Sequence, residues 1–226
     1  DASVDFNLEN DLASIENNYL YAGFNVSADR IYAGGNLYNL NANLDINEDK
    51  ITATIKTDFE NNLKADISAD LKVNEQILTL EIPALQILYN DFEIRNSGIV
   101  SLNYKDKTIN FDRFFLDVAD AELSITGDAG FEGEHEAKLS LKSLKGEKVI
   151  ESLFETKSEK QIKSDINLTG LLKGSLSDPD FEINASVENI TYGNSNFGSL
   201  FSVFSYDDNS LNTDIKLLDS TLNNNK

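Results

Sequence analysis

The residues able to do chemistry are few and badly placed for it. The chain has one histidine, His135, between Glu134 and Glu136, and no cysteine. Without a second base, no Ser-His-Asp or Cys-His relay can be assembled, and neither thiolate nor imidazole metal sites have enough ligands. His135 reads as an exposed, incidental residue. The glycine-rich stretch Gly127 to Gly133 lacks the Gly-Lys-Ser/Thr ending of a phosphate loop, so it reads as a turn or bulge. Asp207, Asp208 and Asn209 form an acidic turn without the ligand spacing of a calcium loop. Paired carboxylates could hydrolyse glycosides. With 39 acidic residues some pair must fall close, and spacing singles out none. The expectation is therefore a protein that is not an enzyme, with no catalytic residues, no metal and no cofactor.

Charge narrows the partners. The 39 acidic residues face 19 basic ones, for a net charge of −20 over 226 residues. Such a surface repels nucleic acid and anionic headgroups, and reads as a solubilising outer face. No window approaches the roughly 18 apolar residues of a spanning helix. Residues 1–226 read as a single β-rich segment of a larger protein, since the chain begins at Asp1 and contains no Met.

What remains is pattern. Apolar residues alternate with polar ones at Leu40, Ala42, Leu44, Ile46, then Ile51, Ala53, Ile55, then Leu63, Ala65, Ile67, Ala69, Leu71, Val73. A period of two places each set on one face of a strand. The breaks at 47–50, 60–62 and 74–76 are too short for parallel crossovers, so residues 36–82 read as an antiparallel meander of strands six to eleven residues long. Alternation returns at 100–104 and 109–111, at Leu139 and Leu141, at Phe181, Ile183, Ala185, Val187, and at Leu211, Ile215, Leu217. Residues 20–26 look like a strand, with Gly34 and Gly35 as its turn. Pro83 argues against a central strand in 83–99. In 145–157 the spacing of Val149, Ile150, Leu153 and Phe154 predicts a short helical insertion, plugging a sheet end or capping a groove.

The region 166–217 is the most specific. A strand ends at Gly170, a polar return leads to Gly174, Leu176, Asp178 and Pro179, and a strand follows from Phe181. Leu168, Gly170, Gly174, Leu176, Asp178 and Pro179, followed by Phe197, Gly198, Leu200, Tyr206 and Leu211, resemble the Gly/Pro-marked repeat of the TamB/AsmA-like bacterial envelope family. The resemblance covers about fifty residues. It implies an all-β fold: an elongated, twisted antiparallel sheet curled into an apolar-lined trough (β-taco-like), here with one short helix. It also implies a parent anchored in the inner membrane and lying in the periplasm. Its work would be shielding phospholipid acyl chains between the two membranes and supporting outer-membrane protein assembly. The implied partners are acyl chains, an outer-membrane barrel of the TamA/BamA type and neighbouring repeats of the same chain. On this reading the alternating apolar residues named above, from Leu40 to Val73, Phe181 to Val187 and Leu211 to Leu217, line the lipid groove.

Physics leaves two alternatives beside the trough. An apolar sheet face must be hidden, and a second sheet would hide it as a sandwich, in an adhesin or surface-layer module with no lipid role. An outer-membrane barrel would need aromatic girdles, and the Tyr and Phe residues are not placed regularly at strand ends.

Overall fold

The computed structural model describes residues 21–33, 36–47, 50–59, 63–74, 76–154, 162–207 and 210–218. The fold is all-β with a single short helix among these residues, and its strand pairs are antiparallel. The chain divides into two compact units, one ending at Asp106 and the other beginning at Lys107.

In the first unit, β1 (Tyr21–Ala33), β2 (Asn36–Asn47), β3 (Lys50–Phe59), β4 (Leu63–Asn74) and β5 (Ile77–Tyr89) pair in sequence order. The far side of β5 is shared. Leu78–Ile82 pairs with β7 (Val100–Lys105), and Gln86–Tyr89 with β6 (Phe92–Asn96). The second unit is a meander of β8 (Thr108–Val118), β9 (Ala121–Gly130), β10 (His135–Lys145), β11 (Ile162–Ser175), β12 (Asp178–Tyr192), β13 (Ser195–Asp207) and β14 (Ser210–Leu218). The helix α1 (Gly146–Phe154) follows β10 and falls within the expected 145–157. Two-residue turns close several hairpins: Asn90 and Asp91, Ala119 and Asp120, Gly193 and Asn194. Ala119 and Asp120 both have positive φ, as a turn matching the right-handed strand twist requires. The expected turns at Gly34-Gly35, 60–62 and Asp208-Asn209 lie outside the described residues.

Two boundaries differ from expectation. Pro83 does sit inside a central strand. It is tolerated because it lies where β7 stops and β6 has not begun, at a register shift between Ser68 and Asp70 of β4. Asn96 fills the gap: its Oδ1 accepts from Leu85 N at 2.8 Å, and its Nδ2 donates to the carbonyls of Ile82 at 2.9 Å and Gly98 at 2.6 Å. One side-chain amide thus replaces the missing ladder bonds. Likewise, β11 does not end at Gly170 but runs on to Ser175, and the turn is at Leu176 and Ser177. Gly170 instead makes room between its neighbours, since a Cβ there would lie 3.2 Å from Leu139 Cβ. Strands β2, β4 and β5 are 12, 12 and 13 residues long, beyond the expected six to eleven, while β3, with 10, falls within it.

The buried core is thin. Among the described residues the buried apolar side chains are Val100, Val118, Ala119, Ala121, Ala129, Ala137 and Leu144. Mostly small, they cluster near strand ends and bulges. The helix α1 packs on β10 and β11. There Ser164 is buried and its N–H donates to the Glu147 carboxylate at 3.4 Å.

Candidate functional site

Within each unit, strand register gathers the alternating apolar residues onto one face. In the first unit one row crosses the strands through Ile46, Ile51, Leu71, Leu80 and Leu102. The next holds Leu44, Ala53 and Ala69, and the one after it Ala42, Ile55, Ile67 and Leu85. A fourth runs through Leu40, Thr57, Ala65, Ile87 and Ile94. Leu63 pairs with Tyr89 and Val73 with Leu78 on this same face. Every groove residue expected between Leu40 and Val73 is therefore on a single side.

The second unit repeats the arrangement over more strands. One row is Phe114, Ile125, Leu139, Gly170, Ile183, Phe204 and Thr213. The next is Leu116, Leu123, Leu141, Leu168, Ala185, Ser202 and Ile215. Flanking rows carry Ala137, Leu172, Phe181, Tyr206 and Leu211 on one side, and Leu144, Ile166, Val187, Leu200 and Leu217 on the other. The rings of Phe181 and Tyr206 stack at 5.4 Å between centroids. Phe181, Ile183, Ala185, Val187, Leu211, Ile215 and Leu217 thus share a face, as expected. The residues that β5 to β11 contribute to these rows, with Leu200, Phe204 and Tyr206 of β13, lie outside the expected lining set.

Bulges keep these faces apolar. Along β8 the apolar positions jump from Phe111 to Phe114, along β10 from Leu141 to Leu144, and along β12 from Val187 to Ile190. Each odd step would turn the rest of the strand over. In each case the register shifts there by one residue, and the apolar side chains return to the same side. Ser143 and Asn189, with positive φ, sit in two of these bulges.

Among the described residues, no second sheet covers either face within its own unit. The rows are mostly half-buried, shielded by neighbours in the same layer, and β14 is open, with Leu211 and Leu217 each 66% exposed. Across the second unit the rows span about 29 Å by 20 Å, from strand spacings of ~4.8 Å and rises of ~3.4 Å per residue. An area on the order of 600 Å² reaches the upper end for the largest apolar patch of a typical monomer, and such patches mark interaction sites.

The opposite faces carry ion pairs among polar residues, with a few apolar side chains such as Phe115, Phe201 and Val203. Lys50 pairs with Asp70 at 3.1 Å, Lys56 with Asp66 at 2.9 Å and Lys72 with Glu81 at 2.6 Å. Burial pushes the Asp70 carboxyl up, but hydrogen bonds from Thr52 and Lys50 outweigh it and leave the pKa below the usual range. In the second unit Lys145, with help from Asn189, lowers Asp165. These partly exposed pairs add little stability but fix which side faces water. A pocket of about 460 Å³ in the first unit belongs to this polar side. Its floor is one cross-strand row, Ser27, Asn41, Lys56, Asp66 and Gln86.

His135 is not the exposed residue expected. Its side chain is 13% accessible, and both ring nitrogens are engaged, Nδ1 with the Asp128 carboxylate and Nε2 with the Glu132 carbonyl at 2.8 Å. Among the described residues no group of three His, Cys, Asp or Glu side chains could hold a metal, and no helix is long and apolar enough to cross a membrane. No family model, curated protein or solved structure matches the chain.

Proposed function

We propose that the chain is a non-enzymatic acyl-chain shield, whose uncovered apolar faces carry the hydrocarbon of phospholipids. The observation that supports this is the largely apolar side of each unit, broken in its rows by Thr57, Gly170, Ser202 and Thr213 and maintained in the second unit through bulges. The energetics fit. Exposing one CH2 to water costs about 0.8 kcal/mol, so a sixteen-carbon chain costs on the order of 12 kcal/mol. A floor of Leu, Ile, Val, Ala and Phe lowers that cost without any reacting group. The polar reverse faces and the net charge of −20 keep the protein dispersed. A sandwich adhesin would use such a face against a second sheet, and among the described residues of each unit none is present.

The setting we propose follows the resemblance of residues 166–217 to the TamB/AsmA-like repeat. It is a periplasmic trough between inner and outer membranes, continued by neighbouring repeats, and serving an outer-membrane barrel partner. Native mass spectrometry and solvent extraction of the purified chain test the lipid reading. The expected result is bound phospholipid, or uptake of added phospholipid from micelles. Chains that stay bare under both conditions would contradict it.

A further inference from the structure

The glycine-rich stretch and the single histidine form one device. Gly127 has φ of +97°, and a Cβ there would come within 2.1 Å of the Glu136 carbonyl oxygen. Gly130 leaves the space that the His135 ring occupies; a Cβ would lie 2.3 Å from Nε2. The ring thus seats against β9, inside the turn that joins β9 to β10.

Its hydrogen bonds demand a particular protonation state. The Glu132 carbonyl can only accept, and an ionised Asp128 carboxylate can only accept. A neutral imidazole has a single N–H, so it can satisfy one of the two. Both form together when the ring carries two protons. The surrounding charges favour that state. Glu134 and Glu136 flank the ring, while Lys107 is drawn to Glu132 at 2.6 Å and Lys138 to Glu136 at 2.7 Å. On the neighbouring β11 stands Lys173, and beyond it on β12 stand Asp178 and Asp180.

The same turn holds another. Leu176 N donates to the Gly130 carbonyl at 2.7 Å, and Ser177 Oγ to the Phe131 carbonyl at 2.8 Å. Phe131 N in turn reaches the Lys107 carbonyl at 3.3 Å. The β11–β12 turn therefore rests on backbone atoms whose position the His135 ring sets.

We propose that His135 is a proton-operated latch: its imidazolium fastens the β9–β10 turn and, through it, the β11–β12 turn, and release of the proton to solvent loosens both. The Asp128 hydrogen bond first, and the Glu132 carbonyl second, raise the His135 pKa above its usual value. A raised folded-state pKa gives a definite sign. The latch is fully fastened below the ordinary histidine value of about 6.5, and is lost as pH rises through the higher folded-state value.

One histidine per chain makes the test clean. Imidazole ¹⁵N NMR of the whole chain should give a single titration with its midpoint above that of an ordinary histidine, and both nitrogens protonated below it. Amide exchange at residues 131–134 and 176–178, corrected for intrinsic base catalysis, should rise through the same midpoint. Asp128→Asn should lower the midpoint, and His135→Gln should remove the pH step while strands β9 to β11 stay protected. A wild-type midpoint at or below the ordinary value overturns the latch, as do turn amides that ignore the titration. The wild-type titration decides the matter even if a variant fails to fold.

Discussion

Leu168→Asp should cut acyl-chain binding by about a hundredfold while leaving the fold intact. Leu168 lies at the middle of the second unit's apolar face, between Leu141 and Ala185. It is half-buried, so a carboxylate there keeps part of its water while the face is empty. A bound chain must either strip that water or lift away from the sheet. Lifting about four methylenes at ~0.8 kcal/mol each loses ~3 kcal/mol, close to two orders of magnitude in affinity. Thr169→Asp is the matched control. It adds the same charge one residue from Leu168, but on the polar side, where Thr169 is exposed and pairs across the strands with Ser140 and Asn184. Binding should change by less than about twofold. Displacement of a fluorescent fatty acid reads both variants, and circular dichroism confirms that each is folded. Equal loss in the two variants would mean that net charge, rather than the apolar face, governs uptake.

The second large effect concerns stability. Gly127→Ala should destabilise the second unit by roughly 2–4 kcal/mol, through a strained positive φ and a backbone collision together. The collision is with the Glu136 carbonyl oxygen, part of a strand that cannot rotate away as a side chain could. Gly98→Ala is the contrasting case. Nothing lies within 4 Å of its added Cβ, so the change should be within about 0.5 kcal/mol. Domains have only 5–15 kcal/mol to lose, so urea unfolding should show a clearly lower midpoint for Gly127→Ala. An unchanged midpoint would show that the backbone at Gly127 is pliable and does not fix the β9–β10 register.

Much of this architecture could be read from the residues alone, and the limits have physical causes. Regular alternation placed the lining residues of β2 to β4, β12 and β14, because a period of two leaves no choice of face. Alternation ceases to inform where its phase slips. Pro83 reads as a break in the strand, yet a register shift and Asn96 carry the strand through. The steps at Phe111 and Leu141 hid β8 and β10 from the lining set for the same reason. Gly170 read as a strand end because glycine marks both ends and close approaches, and only the packing of Leu139 separates the two. The short helix was legible because its spacing of three to five has no strand counterpart. His135 was not, since its partners Asp128 and Glu132 become acceptors for one ring only when the turn closes.

The central claim is that hydrocarbon lies on the apolar faces and not on the polar ones. Photocrosslinking with a phospholipid carrying a diazirine in its acyl chain, followed by peptide mapping, tests it at single-residue level. The account predicts adducts at Ile55, Leu139, Ile183 and Ile215, with none at Lys56, Ser140, Asn184 or Asp214, which stand beside them on the opposite side. Labelling spread evenly over both sets, or concentrated around the polar pocket of Asn41, Lys56 and Asp66, would contradict it.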